Sequence, residues 1–233
     1  MQLSYWEHQT FFQDIDVAII GSGIVGLNAA ITLKEKHPDW RVIVLERGIL
    51  PTGASTKNAG FACFGSLTEL IDDLIQLSEN EVFSLVEKRW RGLNRLRERV
   101  SDANLEYKEW GGYEVFRAEE QTIYEDCLER MEWFNDYTEK IVGQRAYSIA
   151  NSSAKQFGFQ QIQHTILNAA EGQIHTGKMM QTLLQLAKAK DVEVFNGFEA
   201  AALSEEGNGV IIQEKAGWEI NCLLYTSPSP RDS

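Results

Sequence analysis

The segment Asp16-Val17-Ala18-Ile19-Ile20-Gly21-Ser22-Gly23-Ile24-Val25-Gly26 narrows the possible folds sharply, because Glu46 closes the apolar run Arg41-Val42-Ile43-Val44-Leu45 about 20 residues later. The order reads as strand, glycine turn, helix, and a second strand ending in an acid. Each part suits a different portion of an ADP-containing ligand. Gly21 allows a tight turn, Gly23 lets backbone N–H groups approach a pyrophosphate, and Gly26 lets the helix pack closely on the strand. The partial positive charge at the helix N-terminus faces the phosphates. Glu46 can accept hydrogen bonds from ribose hydroxyls, and would repel a 2′-phosphate. A glycine triplet alone also marks a tight turn in any α/β protein. Here a hydrophobic strand precedes it, and Leu27, Ala30, Ile31 and Leu33 form an apolar helix face that His37-Pro38 ends. The motif does not choose between FAD and NAD.

The 233 residues, 43% hydrophobic and 24% charged, are enough for one large or two small domains. A formal net charge of -12 argues against a nucleic-acid partner, whose phosphates need a basic footprint. No apolar run approaches the roughly 20 residues of a membrane-spanning helix. Residues 1–14 carry Glu7 and Asp14 among scattered aromatics and do not resemble a secretory leader. The 3 cysteines, Cys63, Cys127 and Cys222, make no disulfide framework, and no His/Cys spacing suggests a metal site. The expected location is therefore the cytoplasm.

The stretch from Cys222 to Asp232 resembles the translation of a transposon-type sequencing adapter. Residues 222–233 are therefore expected to be a non-native tail, with the natural sequence cut short near Asn221.

After Glu46 a loop rich in small residues runs to Gly65, a composition suited to hugging a ligand. Ser66 with Glu69 predicts a capping box and a helix to Glu79. A second helix is expected from Glu81 to about Asp102, its Lys88, Arg89, Arg91, Arg95, Arg97 and Arg99 mostly outward and paired with acids. Tyr107 to Phe116 reads as a strand with a bulge or turn at Gly111-Gly112. Helices are expected at residues 119–140 and 176–189, the latter burying Met179 and Met180. Strands are expected at 161–168, 192–195, 200–203, 210–214 and 218–220, with a hairpin turn at Gly207-Asn208-Gly209.

Three blocks together resemble the FAD-dependent D-amino-acid oxidase-like (DAO-type) oxidoreductases. They are Gly21 to Gly26 with Glu46-Arg47; Gly53-Ala54-Ser55-Thr56-Lys57-Asn58-Ala59-Gly60; and Glu171 to Met179 leading to Val192 to Ala200. The resemblance implies an α/β fold, in which a Rossmann-like FAD-binding domain carries an inserted antiparallel-sheet substrate domain and is incomplete at its C-terminus. The implied divisions are 1–104, with an N-terminal arm at 1–14, and 172–221 for the FAD domain, 105–171 for a partial substrate domain, and 222–233 for the tail.

By the same resemblance the cofactor is FAD. Its contacts would be Gly21, Ser22, Gly23, Ile24, Val25, Gly26, Glu46 and Arg47, with Ala54, Ser55 and Thr56 near the pyrophosphate. Asn58, Ala59, Gly60 and Phe61 would lie near the isoalloxazine, and backbone groups at Ala200 along the adenine edge. The implied reaction is oxidation of a carbon–nitrogen bond in a small-molecule amine or amino acid by hydride transfer to flavin N5, with oxygen or a quinone as electron acceptor. Another FAD-dependent oxidation, such as that of a hydroxy acid, and a non-catalytic nucleotide-binding fragment stand as alternatives. Cys63 is expected as a buried inert thiol and His175 as a capping or packing residue. His164 could face substrate, solvent or core. No catalytic acid or base is assigned, and no metal.

Overall fold

Consecutive buried apolar residues set the central architecture. The computed structural model describes residues 3–207 and 209–226, and in it the chain divides into two units, residues 1–59 with 176–233, and residues 60–175.

The first unit opens with α1 (Tyr5–Phe11), β1 (Ile15–Ile20), α2 (Ile24–Lys36), β2 (Val42–Glu46) and the single turn α3 (Ala54–Lys57). Val17, Ala18 and Ile19 of β1 and Val42 to Leu45 of β2 are all buried. Such uninterrupted apolar runs belong to parallel strands covered on both faces. The second unit contains β3 (Phe61–Ala62), α4 (Leu67–Gln76), α5 (Glu79–Val100), α6 (Asp102–Leu105), β4 (Gly112–Arg117), α7 (Gln121–Val142), β5 (Tyr147–Ile149), α8 (Ser153–Gln156), β6 (Ile162–Asn168) and β7 (Gly172–Gln173). The chain then returns to the first unit with α9 (Thr176–Lys188), β8 (Glu193–Asn196), β9 (Ala200–Glu206), β10 (Gly209–Glu214) and β11 (Glu219–Thr226).

The six-stranded sheet of the first unit has the order β8-β2-β1-β11-β10-β9. Pairing is parallel from β8 through β11 and antiparallel from β11 to β9. Leu27, Ala30 and Ile31 of α2 and Met179, Met180, Leu183 and Ala187 of α9 are buried, in line with the expected stripes. Phe12, Ile15, Ile43, Phe198, Ile212 and Ile220 share a second cluster of this unit. Arg41 ties the N-terminal segment down: its guanidinium bonds Phe11 O (3.0 Å), Gln13 O and Glu193 Oε1 (3.0 Å).

The last strand continues past the expected Trp218–Ile220 to Thr226. Cys222, Leu224, Tyr225 and Thr226 stand in register with Ile15, Val17, Ala18 and Ile19 of β1. Part of the segment set aside from the sequence as a tail thus occupies a ladder position, for which its apolar and β-prone composition suits it. Residues 227–233 of that segment, and Asn208 of the expected hairpin turn, lie outside the described residues.

In the second unit the antiparallel sheet β4-β6-β5 packs on helices through a core that includes Phe64, Leu70, Val86, Phe116, Phe134 and Ile166. Ser66 and Glu69 form the expected capping box on α4, and Glu114 reaches the same helix start through the N–H groups of Leu67 (2.6 Å) and Thr68 (3.1 Å). The boundary between units falls at Ala59/Gly60, whereas the sequence reading carries the first domain to residue 104. The physical reason is packing: Leu67 and Leu70 of α4 and Val82, Phe83 and Val86 of α5 share one core with Tyr124, Met131 and Phe134 of α7.

Candidate cofactor site

β1 runs directly into the glycine turn. Gly21 has φ of +93°, a conformation L side chains rarely take, and its N–H donates to Leu45 O at 2.7 Å. Ser22 is fully buried, and its N–H and hydroxyl both donate to Glu46 Oε2, at 2.9 and 2.8 Å. The other carboxylate oxygen accepts the Gly48 N–H at 2.8 Å. Glu46, at the end of β2, therefore secures both the turn after β1 and the start of its own loop. A carboxylate presents about four lone-pair sites. The three bonds just given leave capacity for a further donor, such as a ribose hydroxyl.

Gly23 is the N-cap of α2 and makes no side-chain cap, so the first turn of the helix keeps N–H groups available. One of them, that of Ile24, donates to Ser55 Oγ at 2.9 Å. Val25, in the same turn, is 67% exposed. A Cβ on Gly23 would stand 3.1 Å from Ser55 Oγ, so the bare glycine permits this approach of α3 to α2. Bare glycines, an uncapped start to a thirteen-residue helix and a serine hydroxyl make an arrangement that fits a pyrophosphate.

The loop that carries Ser55 holds its own shape. The Thr56 hydroxyl donates to Pro51 O at 2.7 Å, and Asn58 Nδ2 donates to Ala54 O (3.1 Å) and Ser55 O (3.0 Å). Arg47, Ala54 and Ala59 are exposed. Ala200 opens β9 opposite Glu214. The approach to it is fixed at the end of β2, where Phe198 N–H donates to Glu46 O (2.9 Å) and Gly197 N–H to Gly48 O (3.2 Å). Gly21, Ser22, Gly23, Ile24, Glu46 and Ser55 thus meet, with Ala200 placed through the backbone of its neighbours. Gly60 and Phe61 belong to the second unit, where Gly60 O accepts the Ile174 N–H at 2.8 Å and Phe61, 73% exposed, pairs with Gln173.

Gly48 is a site residue that sequence reasoning missed. A Cβ there would stand 2.6 Å from Leu50 O, and its position two residues after the acid was the available signal. His164 lies against α7, stacked on Tyr124 with ring centroids 4.0 Å apart and bonded through Nε2 to Gln121 Oε1 at 2.9 Å. His175 is exposed and its N–H donates to Leu105 O at 2.8 Å. Cys63 corrects an expectation, since it is exposed where a buried thiol was foreseen. Partial desolvation, then the charges of Glu171 and Glu69, push its thiol above the ordinary range. The basic face of α5 is paired in part, with Arg97 bonded to Asp102 at 2.7 Å and to Glu109 at 3.4 Å.

The family model for FAD-dependent oxidoreductases of the DAO type matches residues 16–226. The chain belongs to this family. The DAO family is FAD-dependent, and in this member the turn, Glu46 and Ser55 are the residues that would hold the ADP half of the cofactor. A protein of Haemophilus influenzae named "Probable oxidoreductase OrdL" is 31% identical over 121 residues, 52% of this chain and 27% of that one. Glycine oxidase from Bacillus cereus has the same fold at a TM-score of 0.65 and 20% identity, over 91% of this chain and 55% of that chain. L-Proline dehydrogenase from P. horikoshii superposes with a TM-score of 0.64 at 15% identity, over 92% and 52%. The chain therefore spans about half the length of these two solved relatives. Among the described residues no helix is long and apolar enough to cross a membrane.

Proposed function

We propose that the whole protein oxidises a carbon–nitrogen bond of a small amine or amino acid, with FAD held at the β1–α2 turn and oxygen or a quinone as final electron acceptor. The observation that carries the cofactor half of this reading is the convergence of Ser22, Ile24, Glu46 and Ser55 on one glycine turn. Likeness to a glycine oxidase and an L-proline dehydrogenase supports carbon–nitrogen chemistry. When bound, the flavin supplies the two-electron acceptor, and the imine left on the substrate is open to hydrolysis.

The residues of this chain do the binding and orienting. Gly21 and Gly23 keep side chains away from the phosphates, Ser55, its oxygen held by the Ile24 N–H, presents its hydroxyl to them, and Glu46 takes the ribose. Asn58, Ala59, Gly60 and Phe61 are proposed to run along the isoalloxazine, and the antiparallel sheet of the second unit to begin the substrate domain. The proposed location is the cytoplasm.

The test is an anaerobic titration of the full-length flavoprotein with a panel of amines, amino acids and hydroxy acids. Bleaching of the flavin absorbance by an amine or amino acid is expected. Bleaching by hydroxy acids alone would move the protein to the alternative oxidation, and a flavin that no compound reduces would favour a binding role.

A further inference from the structure

Glu171 is 7% exposed inside the second unit, and the cofactor reading gives it no part. Its Oε1 accepts the backbone N–H groups of Phe64 (3.0 Å) and Gly65 (3.2 Å), 107 and 106 positions earlier in the chain. The same two residues are held on their carbonyl side. Gly65 O accepts from the Tyr147 hydroxyl (2.7 Å) and Asn168 Nδ2 (3.4 Å), and Phe64 O from Arg89 Nη1 (3.2 Å). Room for the carboxyl group is reserved by glycine, because a Cβ on Gly112 would stand 2.3 Å from Glu171 Oε2. Gly111 in turn donates its N–H to Glu171 O at 3.0 Å. The Gly111-Gly112 pair, read from sequence as a bulge or turn, thus makes the seat of a buried acid.

We propose that Glu171 is a positioning residue: it fixes the backbone of Phe64 and Gly65, and with it the downstream end of the Gly60–Cys63 segment, and it releases that backbone on ionising. The inference rests on the proposed function only in taking Gly60 and Phe61 as flavin contacts. Both N–H bonds go to one oxygen, an acceptor that the carbonyl of an amide can replace. Burial raises the carboxyl above its usual range, and the charges of Glu114 on β4 and Glu69 on α4 raise it further, against the two N–H donors. The other ionisable groups coupled to this cluster are Arg89 on α5, Tyr147 on β5, Tyr107 and Cys63. A carboxyl that holds its proton more tightly when seated than when released makes the seated state less favoured as pH rises through the raised value.

Amide hydrogen exchange on the 233-residue chain reads this directly at Phe64 and Gly65. In the wild type, protection corrected for intrinsic exchange should fall as pH rises through the raised carboxyl value. Glu171→Gln keeps the carbonyl acceptor and should give a flat profile, above the wild type at the upper end. Glu171→Ala removes the acceptor and should lower protection at least about tenfold throughout. If the alanine chain does not fold, the glutamine profile decides. A glutamine profile that superimposes on the wild type, or an alanine variant with unchanged protection, overturns the inference. FAD titration of the same chains separates the two readings: a wild type that binds no FAD counts against the proposed function, while the exchange profiles still decide the role of Glu171.

Discussion

A Cβ on Gly26 would stand 2.0 Å from the carbonyl oxygen of Gly21. The same atom would lie 3.3 Å from the Ile19 side chain, so strand, turn and helix meet at a point where only hydrogen fits. Backbone obstructs the first contact, and no side-chain rotation relieves it. Gly26→Ala should therefore destabilise the chain by about 3 kcal/mol or more, measured by urea unfolding. A variant as stable as the wild type would show that α2 shifts freely on β1.

Glu46 accepts three hydrogen bonds, two from Ser22 and one from Gly48. Removing the carboxylate in Glu46→Ala leaves the buried Ser22 hydroxyl and N–H without that acceptor, and should cost about 2–3 kcal/mol. Affinity for ADP, measured by calorimetry, should fall at least about tenfold, as for a lost charge-assisted bond. Unchanged ADP binding would separate the carboxylate from the ligand.

Arg41 joins the end of α1 and the residues that follow it to Glu193 on β8. Its side chain is 27% exposed, so solvent screens the ion pair only in part. Arg41→Ala should lower stability by about 1–2 kcal/mol. Limited proteolysis should then cut between Phe11 and Asp14 sooner than in the wild type; identical digestion patterns would argue that Phe12 in the core is anchor enough.

Cys127 and Cys63 should differ sharply in reactivity. Cys127 is buried, and desolvation followed by the charges of Glu114, Asp126 and Asp72 pushes its pKa up to about 12. It should resist alkylation until the protein unfolds. Cys63 is exposed and should react first, yet more slowly than a free thiol at about pH 8, because its raised pKa keeps it protonated. Peptide mapping after iodoacetamide treatment checks the order, and Cys127 labelled ahead of Cys63 would contradict it.

Strong local periodicity made much of the fold legible. The paired apolar runs of β1 and β2 and the stripes of α4, α5 and α9 follow the expected spans to within a few residues. The two-residue strands β3 and β7 carry no such pattern, and their pairing depends on residues more than a hundred positions apart. The division at Ala59 was hidden for a similar reason: α4 and α5 look like any amphipathic helices, and only their shared core with α7 shows which unit they join. At the candidate site, residue types and spacing pointed to Gly21, Gly23, Gly26 and Glu46, and the family resemblance to Ser55. What spacing could not show is that Glu46 grips Ser22, or that Ser55 reaches Ile24. Glu171 passed as a turn residue, because its partners lie at the far end of the second unit's sequence.

The parallel ladder between β1 and β11 has a cost in time. Ile15 stands opposite Cys222, so one flank of the first strand is completed only once a segment 207 positions later has been synthesised. At about 5–20 residues per second, that flank waits roughly ten to forty seconds. Meanwhile the nascent chain displays an apolar strand with open hydrogen-bonding groups, the kind of surface that chaperones shield. Efficient production of this polypeptide should therefore depend on chaperone supply more than a helical bundle of equal size would.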